Sequence, residues 1–212
     1  MTYNLRGNID FPEFSGARCY MMPFIQGRPE SLPEEFRQYA DIVEKFTLAE
    51  EAGMLGHITI DESYVEAGSS QRGYGEGERT LHTEACRSPE AMLTWGRPTW
   101  GPVKDDGPSP FIVYLDPDVR AIIANSVSDT CMVWDKDVLD TTPDGDLSMR
   151  ADEFPRSSGR MMKAGEAMEI GIFTPHECIN QQESGNRQFF RIVGSGVHGR
   201  ESYFTRNPII GR

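Results

Sequence analysis

From residue 56 onward the chain is a succession of short apolar segments cut by glycine and proline. That punctuation limits the fold more than any other feature. GHITIDESYVEAG at 56–68 alternates Ile58 and Ile60 with His57, Thr59 and Asp61, the period of a half-buried strand. FIVYLD at 111–116, VRAIIANSV at 119–127 and DTCMVWD at 129–135 read the same way, followed by an apolar run at 167–173 and a strand around Arg187. The chain carries 21 Gly and 14 Pro, and strands punctuated like this favour a sandwich or barrel over an α/β fold. No internal repeat or composition break divides residues 1–212, so one domain is expected: an arm and helix over 1–55 and a β core over 56–205.

The arm has two readable parts. ARCYMMPFI at 17–25 is an edge strand expected to stop at Pro23, because proline cannot donate to a ladder. Met21 and Met22 read as core filler rather than soft-metal ligands. A helix is expected over 33–52. Ser31 to Glu34 fit a capping box with Pro33 at the first helical position. Phe36, Tyr39, Ala40, Val43, Phe46 and Leu48 recur near helical spacing, and Gly53 supplies a stop. Such a helix packs on the outside of a sheet and carries no chemistry.

Charge and cysteine usage remove several functions. With 33 acidic and 21 basic residues the net charge is −12. That surface repels phosphate backbones and anionic lipids, although one local basic pocket for an anionic ligand is compatible with it. Cys19, Cys86, Cys131 and Cys178 form no C-x-x-C pair, so a zinc ribbon or thioredoxin motif is absent. The N-terminus lacks the apolar core of a secretory signal and no run is long enough to span a bilayer, so a cytoplasmic protein with reduced thiols is expected. The glycines at 68–77 match neither a dinucleotide nor a P-loop pattern. Asp144 and Asp146 do not match an EF-hand loop and read as solvated surface. The Pro/Gly-rich loop at 95–110 carries Trp95 and Trp100, which either line a pocket mouth or pin the loop to the body.

Chemistry concentrates elsewhere. Leu81-His82-Thr83-Glu84 sets an imidazole and a carboxylate on one strand face, about 7 Å apart at the backbone. His57 is the less favoured histidine, solvent-facing or hydrogen-bonded at a strand start. GEAMEIGIFTPHECINQQESGNRQFF at 165–190 reads as a hairpin: strand, tight turn, His176, polar loop, then a second strand. Arg187, Phe189 and Arg191 share one face of that strand, with Gln188 and Phe190 on the other. His82, Glu84 and His176 together make two imidazoles and one carboxylate, the facial triad of non-haem Fe(II) sites. A planar bidentate cation beyond it suits a dicarboxylate; Arg187 is the first choice and Arg191 the second.

On these residues the chain resembles the double-stranded β-helix families, the cupins and the Fe(II)/2-oxoglutarate-dependent oxygenases, over roughly residues 56–205. In the oxygenases an H-x-D/E pair precedes a distal histidine, and an arginine about ten residues further binds the 2-oxoglutarate carboxylate. His82 and Glu84, His176 and Arg187 match that pattern. The interval from Gly165 to His176 and the spacing of His176 and Asn180 also look like a second cupin motif, but the first motif's H-x-H is absent, which favours the oxygenase branch. Glu84 stands where most members carry Asp, and the interval from His82 to His176 is long.

The resemblance implies a mainly β fold, a double-stranded β-helix (jelly-roll) barrel with one flanking N-terminal helix. It implies Fe(II) on His82, Glu84 and His176, and 2-oxoglutarate on Arg187 or Arg191. The substrate, a small molecule or a side chain, would meet Gln71, Arg72, Trp95, Trp134 and Asn180. A cupin-type metal protein without 2-oxoglutarate and a non-catalytic β-barrel binding or assembly module are the alternatives. No general nucleic-acid or membrane binding is expected, and a homodimer is left open.

Overall fold

The computed structural model describes residues 2–47, 49–70, 80–84, 93–95, 112–114, 118–140, 145–198 and 203–212, with the backbone alone at 93–95, 112–114 and 198. In chain order the elements are β1 (Tyr3–Asn8), β2 (Arg18–Ile25), a short helix α1 (Ala40–Lys45), β3 (Leu55–Val65), β4 (Leu93–Trp95), β5 (Ile112–Tyr114), β6 (Arg120–Asn125), β7 (Cys131–Val133), β8 (Arg160–Met161), β9 (Glu166–Gly171), β10 (His176–Cys178), β11 (Gly185–Val193) and β12 (Val197–His198). Short 3-10 turns fill the connections before and after α1 and between β7 and β8. No helix among the described residues is long and apolar enough to cross a membrane.

The protein is mainly β, built on a six-stranded sheet ordered β1-β9-β6-β11-β3-β2, every pair antiparallel. β11 and β3 pair from Gly185 opposite Val65 to Val193 opposite His57. The arm supplies both edges, since β1 adds to β9 and β2 adds to β3. Alternation along the strands gives the sheet two buried faces. On one, Ile58, Ile60, Ile122, Ala124, Phe190 and Ile192 meet Phe36, Tyr39, Ile42, Val43 and Phe46 from the arm. Tyr39 stacks on Phe190 with rings 5.9 Å apart and 5° from parallel. On the other face Ala121, Ile123, Phe189 and Val193 meet Cys131 and Val133 of a second sheet. β3 is therefore buried on both sides, not half-buried as its alternation implied.

The second sheet is ordered β10-β7-β8. Two further segments extend it: residue 82 bridges both His176 and Asp146, so 81–83 lies between β10 and 145–147. Its outer face has its own core of Leu81, Met132, Trp134, Val138, Leu147, Phe154 and Ile179. A third ribbon, β12-β5-β4, completes the strand pairing. Among the described residues these sheets do not join into a closed barrel.

Several expectations are corrected. The helix over 33–52 is instead a 3-10 turn at 34–39 running into α1 and a separate 3-10 turn at 49–51. Phe36 and Tyr39 are buried three residues apart, which is the eclipsed spacing of a 3-10 helix. Ser31 forms no capping box: its hydroxyl lies 2.7 Å from the Arg28 carbonyl and accepts from the Ile25 N–H at 2.9 Å. The stretch 165–190 is no hairpin, because β9 and β11 both flank β6 in the large sheet while His176 sits in the small one. In addition β2 runs through Pro23 to Ile25, which an edge strand tolerates. Asp146, read as plain surface, is exposed but pairs through its backbone with residue 82.

One buried charge ties the arm to the sheet. Glu62, 2% exposed, accepts on one oxygen from the N–H groups of Ser15, Gly16 and Ala17 at 2.6, 2.6 and 3.0 Å. Gly16 has φ +80, and that left-handed residue lets successive N–H groups converge on one anion. The other oxygen accepts from the Tyr39 hydroxyl at 2.7 Å and from Gln188 at 3.2 Å. Burial opposes ionisation of Glu62, but the Tyr39 hydroxyl and the Ser15 and Ala17 N–H groups outweigh it and hold the carboxyl below its ordinary range. A carboxyl lowered by folding stabilises fully above its unfolded value, about 4.3, and loses that contribution as pH falls through the folded value. Glu62→Gln is therefore expected to lower stability by roughly 2–3 kcal/mol at neutral pH. In urea unfolding the difference from wild type should shrink toward pH 3; a difference that stays constant would contradict this assignment.

Candidate metal centre

Two short segments far apart in sequence meet through their backbones. The His82 N–H donates to the His176 carbonyl at 3.0 Å, and the His176 N–H donates to the His82 carbonyl at 2.9 Å. The pair is thus a hydrogen-bonded antiparallel pair, which sets both side chains on the same sheet face. Glu84, two residues on, projects to that face as well. Segment 81–84 is backed by Gly145, whose carbonyl accepts from the Thr83 N–H at 2.9 Å. Gly145 has φ +75, and a Cβ there would lie 2.2 Å from the Thr83 carbonyl oxygen, so only glycine fits this approach.

The three side chains expected to bind metal converge. One ligand atom from each of His82, Glu84 and His176 lies within 4.8 Å of the others, and all three residues are buried. The imidazole centroids are 4.2 Å apart. His176 Nε2 lies 3.4 Å from Glu84 Oε1. Each histidine turns Nδ1 to a backbone carbonyl two residues back: His82 to Thr80 at 2.5 Å, His176 to Thr174 at 3.0 Å. A carbonyl only accepts, so Nδ1 carries the hydrogen and Nε2 presents its lone pair. That orientation is the one imidazole adopts as a metal ligand held by an outer hydrogen bond. This buried group could hold a metal ion.

Arg191 sits against the carboxylate of the group. Its Nη1 lies 3.2 and 3.4 Å from the two Glu84 oxygens. Its Nη2 reaches Thr59 Oγ1 at 3.3 Å and Met21 Sδ at 3.4 Å. Arg191 stands opposite Thr59 on β3, so register places that hydroxyl. Met21 arrives by a bulge in β2, where the register shifts between Cys19 and Met22 and Met21 adopts φ 46. A left-handed non-glycine residue costs on the order of 1 kcal/mol or more. It sends Met21 and Met22 to opposite faces, and both are fully buried.

Arg187 lies on the same face of β11, 1% exposed, opposite Ser63 on β3. Its Nη2 donates to Asn125 Oδ1. Asn125 is 1% exposed, and its Nδ2, like the Ser63 hydroxyl, has no hydrogen-bond partner among the described residues. Asp61 is buried farther along this face of β3, with Arg18 Nε at 2.9 Å.

Of the proposed substrate residues, Trp134 and Asn180 are the two whose side chains are described, and each is engaged elsewhere. Val133 is the residue paired with His176, so its neighbour Trp134 faces the other way. Trp134 packs in the outer core against Phe154 and donates Nε1–H to the Pro155 carbonyl at 3.3 Å. Asn180 donates to the Gly68 carbonyl at 2.8 Å and ties down that loop. Trp95 ends β4, of which the backbone alone is described, and Gln71, Arg72 and Trp100 lie outside the described residues. His57 is buried, not solvent-facing, with its ring edge-on to Phe204 at 5.2 Å. Sequence reasoning missed Gly145, Thr59, Asn125 and the Glu84 contact of Arg191. Parity along β11 was the one available signal, since it placed Arg191 on the face of Arg187.

Arg191 and a metal would share Glu84, which separates their effects. Arg191→Met leaves a buried carboxylate without its cation, expected to cost the metal-free chain about 3–5 kcal/mol. Zn(II) or Mn(II) added to that variant should restore more thermal stability than in wild type. Denaturation with and without metal checks this; a variant that loses stability with no larger metal response would contradict it.

No family model matches the chain, and neither does any curated protein or solved structure.

Proposed function

We propose that this chain is a non-haem Fe(II)/2-oxoglutarate-dependent oxygenase that hydroxylates an organic substrate. The observation that carries the reading is the convergence of His82, Glu84 and His176, with both Nε2 lone pairs presented by Nδ1–H anchors. Two imidazoles and a carboxylate suit Fe(II) and leave coordination positions for other ligands. Strand order supports a double-stranded β-helix. β3, β6, β9 and β11 lie in the large sheet, while 81–83, β7, β8 and β10 lie in the small one. The chain thus passes repeatedly between the two sheets, which supports a jelly-roll reading.

Each residue has a distinct task in this reading. His82, Glu84 and His176 hold the metal, and Arg191 fixes the Glu84 carboxylate. Arg187 receives the distal carboxylate of 2-oxoglutarate as a planar two-point donor. Asn125 Nδ2 and the Ser63 hydroxyl beside it, without a partner among the described residues, fit that role, because a buried donor without an acceptor costs about 1–3 kcal/mol until a ligand satisfies it. Ile123, Val133 and Val193 are buried apolar residues of the core on the same face. Bound Fe(II) with 2-oxoglutarate and O2 supplies the oxidising chemistry, releasing CO2 and succinate as a substrate C–H bond is hydroxylated.

Anaerobic Fe(II) and 2-oxoglutarate should give a weak charge-transfer band in the wild type that His176→Ala lacks. Arg187→Met should weaken 2-oxoglutarate binding by about tenfold to a hundredfold, equivalent to the loss of a charged hydrogen-bonded pair, without changing Fe(II) affinity. No band in the wild type would contradict the reading. Metal uptake with no response to 2-oxoglutarate would point to a cupin-type metal protein, and no metal uptake to a binding module.

A further inference from the structure

Cys131 and Cys178 stand directly opposite each other on β7 and β10. The flanking hydrogen bonds fix the kind of pair. Trp134 N–H donates to the Pro175 carbonyl and Ile179 N–H to the Thr130 carbonyl, both at 3.0 Å. Hydrogen-bonded and non-hydrogen-bonded pairs alternate along an antiparallel ladder. Counting inward from either end makes Cys131 and Cys178 a non-hydrogen-bonded pair. Its Cα atoms are about 4.5 Å apart and its side chains come closest together. A disulfide spans Cα separations of about 4.4–6.8 Å, so the register already meets its requirement. Both residues are reduced thiols; Cys131 is 4% exposed and Cys178 is half-buried. By contrast Cys19 is enclosed in the opposite core, and burial pushes its thiol up to about 12.

We propose that Cys131 and Cys178 are an oxidation site that closes to a disulfide with hydrogen peroxide. The more exposed Cys178 sulfur attacks peroxide, forming an S–O bond as the O–O bond breaks, and its thiol proton passes to the departing hydroxide to give water. Cys131 sulfur then displaces hydroxide from Cys178, forming S–S as S–O breaks, and its proton completes the second water. Two thiols are oxidised by two electrons and one peroxide is reduced to two waters. Cys178 lies two residues from His176 on one strand face, so the bond staples the strand carrying this histidine to β7. The proposal rests on strand register alone and is independent of the oxygenase reading.

Reduced, metal-free protein treated with one equivalent of hydrogen peroxide is the test. Intact mass should fall by two hydrogens, and a non-reducing digest should join the peptides holding Cys131 and Cys178. Closing the intervening chain should raise the thermal midpoint by about 5 °C or more, reversed by dithiothreitol. Cys86→Ser should oxidise as wild type does, while Cys131→Ser should stop at oxygen adducts on Cys178. The wild-type digest decides the matter even where a serine variant folds poorly. A link to Cys86 or Cys19, an oxygen adduct on Cys178 with Cys131 still a thiol, or no oxidation would each overturn the proposal.

Discussion

The mutual backbone hydrogen bonds of His82 and His176 are what the rest of the site depends on. They turn two remote stretches into one hydrogen-bonded strand pair, and the strand period then determines where each side chain points. Both imidazoles and Glu84 reach one face because the pair is in register; a slip of one residue would send each to the opposite face. Gly145 holds this segment from the outside, and β7 holds β10 from the other side. Backbone hydrogen bonds, rather than the ligands' mutual attraction, thus set the geometry.

Buried carboxylates lie against both faces of the large sheet, and the partners of Glu62 and Glu84 differ. Glu62 is met by N–H and O–H donors from the arm, Tyr39 and Gln188. That arrangement satisfies the anion and anchors the arm. Glu84 is met by a guanidinium and by the Nε2 edge of an imidazole. A cation beside a carboxylate, with imidazole lone pairs turned toward it, is an arrangement in which a metal ion can share the anion. Burial makes both carboxylates costly to leave unpaired, but only the second is surrounded by ligand atoms.

What could be read in advance followed from strand parity. His82 with Glu84, and Arg187 with Arg191, were paired by the two-residue period, and the faces agree. The period does not reveal which strands pair, so 165–190 read as a hairpin although β6 separates β9 from β11. Nor does it fix absolute orientation: Trp134 reads as a site residue although its neighbour Val133 is the one paired with His176. The arm misled for a different reason. Its apolar residues are spaced at three (Phe36 to Tyr39) as well as at four (Tyr39 to Val43), so spacing alone does not separate a 3-10 turn from an α-helix. The contact of Arg191 with Glu84 was not readable, because it depends on how segment 80–84 crosses β11.

His82, Glu84 and His176 are proposed to form one metal site. A crystal soaked in Mn(II) and measured for anomalous scattering tests it most directly. One strong peak is expected roughly 2 Å from His82 Nε2, His176 Nε2 and a Glu84 oxygen. Absence of a peak there, or a peak held by other residues alone, would contradict it.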